Sequence, residues 1–360
     1  MKKKIIRTVY VVVGLPLFLF LGLLLFLTVT EYRPDDIETI EINGNPETLL
    51  SVEDTLNIMT FNIGYGALGE NEDFVMDGGE RGRPESKDVV LEYLVGIESL
   101  LETHESDIYF LQEVDEPSRR SYEIDQVNRM HETVGNLNYQ SAFAYNFKAS
   151  FVPFPVSFTE YIGDVSSGMQ TLSRYRMEES VRMQFPGEFS WPVRTANLKR
   201  AMIVSRIAIH DSDKDLVIIN LHMSAYDDGT MREQEMERFR EVLHEERDLG
   251  NYVIAGGDFN QTFPEAEGVY PVIDDEFFTA PQLEEDVLGE GFDFAVDTTH
   301  PPSRLLNMPY DANSDRTQYY IIDGFVVSDN VRVLNVETIN HAFEYSDHNP
   351  VVLEAELLTE

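Results

Sequence analysis

The polarity pattern opens on an unbroken apolar run. Residues 8–30 carry no charged side chain and are rich in Val, Leu and Phe, a length that crosses a bilayer core as one helix. Residues 31–54 are polar and acidic, with Pro34 and Pro46, and predict a stalk or a first edge strand. From Leu56 onward, short apolar strands alternate with amphipathic helices. Residues 56–63 form a strand that ends at Gly64-Tyr65-Gly66, and the Gly- and charge-rich stretch 71–85 predicts a loop. Ser86 opens a helix that places Val89, Val90, Tyr93, Leu94, Ile97, Leu100 and Leu101 on one face. Residues 107–111 form the next strand. A second strand–helix–strand unit runs through 216–221, 230–247 and 251–255, its helix turning Met236, Phe239, Val242 and Leu243 inward. Further strands are expected at 201–210, 319–327 and 351–357. The acidic, Gly- and Pro-punctuated stretch 264–291 reads as an insertion or long loop. No internal repeat and no second linker interrupts this order. The expected organisation is an anchor at 1–30, a stalk at 31–54 and one catalytic domain at 55–360.

Lys2, Lys3, Lys4 and Arg7 precede the apolar run. A basic flank stays in the cytoplasm, so a single-pass membrane protein with an extracytoplasmic domain is expected. A cleaved signal peptide is the alternative. Such leaders have a shorter apolar region and end in small residues, whereas this run exits through Phe26-Leu27-Thr28-Val29-Thr30. The chain holds 27 Lys and Arg against 65 Asp and Glu, a net charge of −38. Duplex binding draws on cations that neutralise phosphates, so duplex DNA is disfavoured as a partner. The absence of cysteine excludes a disulfide framework, thiol catalysis and Cys-ligated zinc. Nothing in the pattern calls for an obligate protein partner.

Five polar islands interrupt the apolar pattern: Thr60-Phe61-Asn62, Leu111-Gln112-Glu113, Asn220-Leu221-His222, Gly257-Asp258-Phe259-Asn260 and Ser346-Asp347-His348-Asn349-Pro350. The first four close a strand and the fifth precedes one. Carboxylates, carboxamides and imidazoles at strand ends suit a hard divalent cation and in-line attack on phosphorus. Asp258 can orient or deprotonate a water and Asn260 can hold a phosphoryl oxygen; the bland alternative is a capped Gly-Asp turn. His222 can donate to a non-bridging oxygen, or be a satisfied polar residue. Asp347 and His348 point in different directions and can divide metal and water between them. A general base needs a partner to fix its tautomer. Asp323 interrupts the apolar strand Ile321-Ile322-Asp323-Gly324-Phe325 and is nominated as that partner, against an edge-strand Asp facing solvent. Glu113 is a natural magnesium ligand, or a surface carboxylate. Asn62 would complete the site through its carbonyl oxygen or by orienting Glu113, or merely terminate its strand.

The ordered set resembles the endonuclease/exonuclease/phosphatase superfamily across nearly the whole domain after the anchor, with Gly-Asp-Phe-Asn and Ser-Asp-His-Asn-Pro its most specific pieces. The resemblance implies an α+β fold of two packed mixed β-sheets flanked by helices, a four-layer αββα sandwich, here behind one transmembrane helix. It implies a metal site at Asn62, Glu113 and Asp347, phosphate contacts from His222 and Asn260, nucleophile handling by Asp258, and orientation of His348 by Asp323. The implied cofactor is Mg²⁺, with Mn²⁺ as a substitute. Ser167-Gly168-Met169-Gln170-Thr171-Leu172-Ser173-Arg174 looks like a further family stretch, which makes Arg174 a substrate-binding candidate or a surface cation. Arg304, and Arg119 with Arg120, are further anion-binding candidates.

Residues 142–162 hold Phe143, Tyr145, Phe147, Phe151, Phe154, Phe158 and Tyr161. An aromatic loop suits a lipid substrate or an interfacial contact beside the anchor; the alternative is that these rings fill core strands. The expected activity is metal-dependent phosphoester hydrolysis, with a lipid-type diester, a phosphorylated head group or nucleic acid in descending order. The alternatives are an extracytoplasmic nuclease and a catalytically silent binding module. The silent module predicts gaps at the metal or base positions, and the sequence has none.

Overall fold

Strand and helix follow the polarity pattern. The structure, a computed structural model, describes residues 10–135 and 138–359; the basic tip at Lys2, Lys3, Lys4 and Arg7 lies outside them. Helix α1 (Leu15–Val29) carries the apolar run. The segment Val12–Val29 is long and apolar enough to cross a membrane, about 27 Å at 1.5 Å per residue. The segment read as a stalk or first edge strand holds two short strands, β1 (Ile37–Thr39) and β2 (Ile42–Asn43), and buries Leu50. There follow β3 (Thr55–Asn62), α2 (Lys87–Thr103), β4 (Ile108–Asp115), α3 (Gln126–Thr133), β5 (Gln140–Val152), β6 (Gly163–Ser173), β7 (Met177–Gln184), β8 (Ala201–Ala208) and β9 (Asp215–His222). The chain then forms α4 (Thr230–Asp248), β10 (Tyr252–Asp258), β11 (Phe292–Ala295), β12 (Ser303–Arg304), β13 (Tyr319–Tyr320), β14 (Asp323–Ser328), β15 (Val331–Thr338) and β16 (Val351–Leu357).

Two seven-stranded sheets result, in the orders β1-β7-β8-β9-β10-β14-β11 and β15-β16-β3-β4-β6-β5-β2. Each has a central parallel pair, β9 with β10 and β3 with β4; the neighbouring strands run antiparallel. The inner faces meet through Leu56, Ile58, Phe110 and Leu353 from one sheet and Leu216, Ile218, Ile254 and Phe325 from the other. Outside, α4 covers the first sheet with Met236, Phe239, Val242 and Leu243, the residues its spacing predicts. Helix α2 covers the second with Val90, Leu94, Ile97 and Leu101. Each such side chain is worth roughly 1.5–3 kcal/mol in burial, so the layers are held mainly by these stripes. Ser86 caps α2 by accepting from the Val89 N–H at 3.4 Å. The four layers are the expected αββα sandwich.

Two of the expected strands differ from the sequence reading, and β7, β11 and β15 form where it predicts no strand. The expected strand 319–327 is two pieces, because Ile321 and Ile322 leave the ladder between β13 and β14. Strand β4 continues past its expected end, with a bulge between Leu111 and Val114 that leaves Glu113 at φ 55°. A bulge re-aims a side chain beside a site, and a non-Gly residue at positive φ costs about 1–3 kcal/mol.

Candidate functional site

Register gathers the islands. Asn62 lies opposite Gln112 where the parallel pair β3–β4 ends. Across the sandwich, Asp258 lies between His222 of β9 and Asp323 of β14. Val351 pairs with Thr60, which brings the preceding Asp347 and His348 to the same end. Gly257 permits the close strand approach beneath: a Cβ there would meet the Leu221 carbonyl oxygen at 2.0 Å. The sheets are tied just below by Gln112, whose Nε2 donates to Asn220 Oδ1 at 2.8 Å, while Asn220 Nδ2 donates to the Gln170 carbonyl at 3.1 Å. Gln112 and Asn220 therefore hold the sheets together and leave the chemistry to their neighbours.

A cavity of about 740 Å³ opens at this end. Asn62, Glu113, His222, Asp258, Asn260, Arg304, Asp347 and His348 all line it. Asp323 stands behind His348, its Oδ2 accepting from Nδ1 at 2.8 Å. That bond leaves Nε2 facing the cavity, where the Ser303 hydroxyl lies within hydrogen-bonding reach at 3.4 Å; Asp258 Oδ2 and Asp347 Oδ2 are both 3.9 Å away. These last two spans are too long for direct hydrogen bonds and short enough for a shared water. Asp258 is fixed by the Asn260 N–H at 2.9 Å on Oδ1 and by Asn62 Nδ2 at 3.1 Å on Oδ2. His222 Nε2 stands 3.4 Å from the same Oδ2, and its Nδ1 is buried with no hydrogen-bond partner. Asn260 sits at φ 52° and donates its Nδ2 to the Met223 carbonyl at 2.9 Å.

Electrostatics separates the two imidazoles. Burial pushes His222 well below its ordinary range, and the cations of Arg200, His348 and Arg120 add to this, so it is a neutral ring. Burial would lower His348 as well, but the carboxylates of Asp323, Asp347 and Asp258 outweigh it and hold His348 well above its ordinary value. Burial raises Asp258, reinforced by the charge of Asp323. Burial, with Glu113 nearby, pushes Asp347 up to about 7. A neutral donor, a protonatable base and crowded carboxylates are the parts that hydrolysis of an anionic ester uses.

The other expectations fare differently. Asn62 presents its amide nitrogen to Asp258 and, at 3.5 Å, to Glu113; its Oδ1 accepts from the Gly64 N–H at 3.1 Å. This is the orienting alternative, with the carbonyl oxygen already engaged. Arg174 is a correction. It follows β6 at the end remote from Glu113, bound to Asp107 at 2.8 Å, and is not on the cavity wall. Arg119 is likewise spent, on backbone carbonyls and on the face of Tyr161. Arg120 reaches the cavity but is held by Asp115 at 2.8 Å and stacked on Tyr65. Arg304 also lines the cavity. Its Nη atoms serve the carbonyls of Leu305, Met308 and Gly69, and Nε is buried without a partner.

Sequence reasoning missed Arg200 and Glu235. Both line the cavity. Arg200 Nη1 is sealed from solvent with no hydrogen-bond partner. Glu235 accepts from the Ser224 N–H at 2.9 Å and from its hydroxyl at 2.6 Å, and burial pushes it up to about 7. Arg200 lies between β7 and β8 in a segment without periodicity. Glu235 sits among the charges of α4, where it reads as another exposed acid. Neither carries a local signal. The aromatic segment 142–162 divides: Phe147 is buried on β5, whereas Phe154 and Phe158 are exposed on the following loop.

The comparisons agree with this fold. The sequence pattern of the Endonuclease/Exonuclease/phosphatase family matches residues 59–348. No curated protein matches the chain at a significant level. Among solved structures, an endonuclease/exonuclease/phosphatase from Beutenbergia cavernae aligns with TM-score 0.58 at 16% identity, covering 84% of this chain and 72% of that one. The human Nocturnin catalytic domain with bound sulfate anion aligns with TM-score 0.52 at 16% identity, covering 88% and 97%. A family protein from Leptotrichia buccalis aligns with TM-score 0.53 at 15% identity, covering 84% and 100%. At these identities the structures speak for the fold, and the matched pattern, which runs from β3 to His348, carries the conclusion: this chain belongs to the Endonuclease/Exonuclease/phosphatase family.

Proposed function

We propose that this protein is a membrane-anchored, Mg²⁺-dependent phosphoesterase with its catalytic domain outside the cytoplasm, acting on a lipid-type phosphoester or a phosphorylated head group. The family's phosphoester hydrolysis supports the reaction class. The observation that carries the reading is the hydrogen-bonded pair Asp323–His348 facing Asp258 and Asp347 in one cavity.

The cation site is best argued from donor chemistry. Among the described residues, Asp258, Asp323 and His348 bring three metal-capable atoms within 4.8 Å of one another. Two of these are already bonded to each other, so that group suits proton handling. Glu113 and Asp347 remain as oxygen donors on the cavity wall, with Asn62 orienting Glu113, and their crowding fits a divalent cation. Mn²⁺ would substitute on the same donors. When bound, the cation would polarise a phosphoryl oxygen and offset developing charge. Asp258 would hold the attacking water, and His348, oriented by Asp323, would take its proton once the ring has given up its own. Neutral His222 would donate to a non-bridging oxygen, and Asn260 would fix Asp258 and the phosphate side of the site. Arg304 and Arg200 would add positive potential on the wall.

The anchor, the exposed aromatic rings and the net charge of −38 support a lipid or head-group substrate over duplex DNA. The basic tip supports a cytoplasmic amino terminus. No protein partner is needed for the chemistry. The test is phosphate or head-group release by the full-length protein with Mg²⁺, on phospholipid diesters, inositol phosphates and DNA, beside His348→Ala. Turnover that chelation and the substitution both abolish is expected. Absence of turnover on every substrate, in Mg²⁺ or Mn²⁺, would refute the reading.

A further inference from the structure

The cavity does not end at the polar site. It runs on to α1, where Phe20, Leu23, Leu24 and Leu27 form part of its wall. Their spacing, i, i+3, i+4 and i+7, is one stripe of a helix. Along the stripe, Leu23 and Leu24 are half-buried and Leu27 is buried, while Phe20 at its lower end is as exposed as Leu21; the opposite face turns outward through Leu25 and Val29, 65% and 76% exposed. Phe154, Val193 and Leu198 of the catalytic domain line the same space. The helix is fixed against the domain where it leaves the membrane. Trp191 Nε1 donates to Thr28 Oγ1 at 3.0 Å, and Glu31 pairs with Lys199 at 3.2 Å and Arg194 at 3.4 Å. From Leu27 to Phe20 the wall descends about 10 Å along the helix, well into one leaflet of a hydrocarbon core about 30 Å thick. Beside it, Val156, Phe158 and Trp191 are exposed, as residues that dip into an interface are.

One continuous space thus joins a phosphate-handling site to a face of a membrane-spanning helix. We infer that it is the binding groove for a two-chain membrane phospholipid, with the phosphate at the His348 and Asp258 cluster and the upper chain carbons along the Phe20–Leu27 stripe. The proposal deepens the phosphoesterase reading and rests on it for the position of the phosphate. Helix α1 is then a specificity element as well as a tether. The lipid enters sideways from the leaflet, and its chain ends stay in the bilayer, since about 740 Å³ is the size of a small-molecule pocket.

The test uses the full-length protein in lipid nanodiscs. Leu24→Trp fills the groove; Leu21→Trp adds the same bulk to the outward face. Turnover is measured on phosphatidylcholine and phosphatidylglycerol and on water-soluble bis(p-nitrophenyl) phosphate. Leu24→Trp should lower the ratio of phospholipid to soluble-diester kcat/KM at least tenfold, and Leu21→Trp should leave it unchanged. Equal effects of the two variants would overturn the proposal. A second readout needs no turnover: the same two phospholipids with a diazirine on the acyl chain are photolysed and the adducts mapped. Adducts on the Phe20–Leu27 stripe and on Val193 or Phe154, lost in Leu24→Trp, are expected. Adducts spread evenly around α1 would refute the groove. Groove adducts without turnover on any substrate would retain the lipid site and reject the hydrolase.

Discussion

Asp323→Asn isolates the proton-handling part of the proposal. The perturbation keeps the shape of a side chain that is 2% exposed and removes only its charge. The bond it alters is 2.8 Å long, from His348 Nδ1 to Asp323 Oδ2. A hydrogen bond to a charged partner contributes about 1.5–3 kcal/mol, roughly a factor of 10–150. A carboxamide can also donate to Nδ1, which moves the ring proton to Nε2 and removes the lone pair that faces the cavity and the Ser303 hydroxyl. General-base work is worth about 10²–10⁴-fold, so kcat should fall at least about 100-fold. KM for a soluble diester should stay within about threefold, because Asp323 does not line the cavity. The pH profile gives a second handle. His348 is held above its ordinary value by Asp323 first, then by Asp347. Loss of one carboxylate lowers it, so any residual acid limb of kcat should move to lower pH. The assay is steady-state hydrolysis of a soluble diester from pH 5 to 9, with thermal unfolding to confirm the fold. A variant within fivefold of the parent, or one whose acid limb stays in place, would refute the assignment of His348 and Asp323.

Other residues give distinct signatures. His222→Ala should lower kcat about 10²–10³-fold, as loss of a transition-state donor does; the pH limbs should not move, because burial holds the ring well below its ordinary range, and a shifted limb would make it a proton carrier instead. Arg200→Met should weaken inhibition by inorganic phosphate about tenfold, with Arg200→Lys intermediate; unchanged inhibition would place the guanidinium away from the phosphate. Glu235 titrates at about 7 when folded against an ordinary 4.5, so its contribution to stability is full below 4.5 and is lost as pH rises to 7, on the order of 3 kcal/mol. Urea unfolding of Glu235→Gln in mild detergent should therefore gain on the parent by about that amount between pH 4.5 and 8, and a constant gap would disprove the buried-carboxylate account.

Much of the site was legible because its residues break an apolar pattern. Asp323 stands inside Ile321-Ile322-Asp323-Gly324-Phe325, where a charge is costly unless paired, and the pairing with His348 follows. The stripes of α2 and α4 were equally clear, since period alone fixes their inward faces. What stayed hidden depends on contacts between distant segments. The bulge at Glu113 arises from the mismatch of β4 against β6. Arg174 looked like a ligand, but Asp107, which lies 67 positions away, claims it. Arg200 carries no sign of its missing partner until β7 and β8 enclose it. The division of labour within an island is also invisible locally: Gln112 and Asn220 tie the sheets, while their neighbours Glu113 and His222 face the cavity.

The charge balance of the cavity bears on why these residues are held together. Asp77, Glu113, Glu188, Glu235, Asp258 and Asp347 line it against three arginines. Arg120 is already matched by Asp115, and Arg304 is engaged with backbone carbonyls. Arg200 Nη1 and Arg304 Nε are the unbonded nitrogens among these three. Burial raises Asp258, Asp347 and Glu235 together, so the fold bears an excess of negative charge where desolvation makes it costly. Packing gives no reason for this arrangement, because apolar side chains of similar volume are often neutral or stabilising in such places. A divalent cation on Glu113 and Asp347 would relieve the excess at one end of the cavity, and it would also let an anionic phosphate approach carboxylates that would otherwise repel it. On the proposed reading the cation and the phosphate would complete one electrostatic unit, and the apolar wall of α1 would distinguish a lipid phosphate from a soluble one.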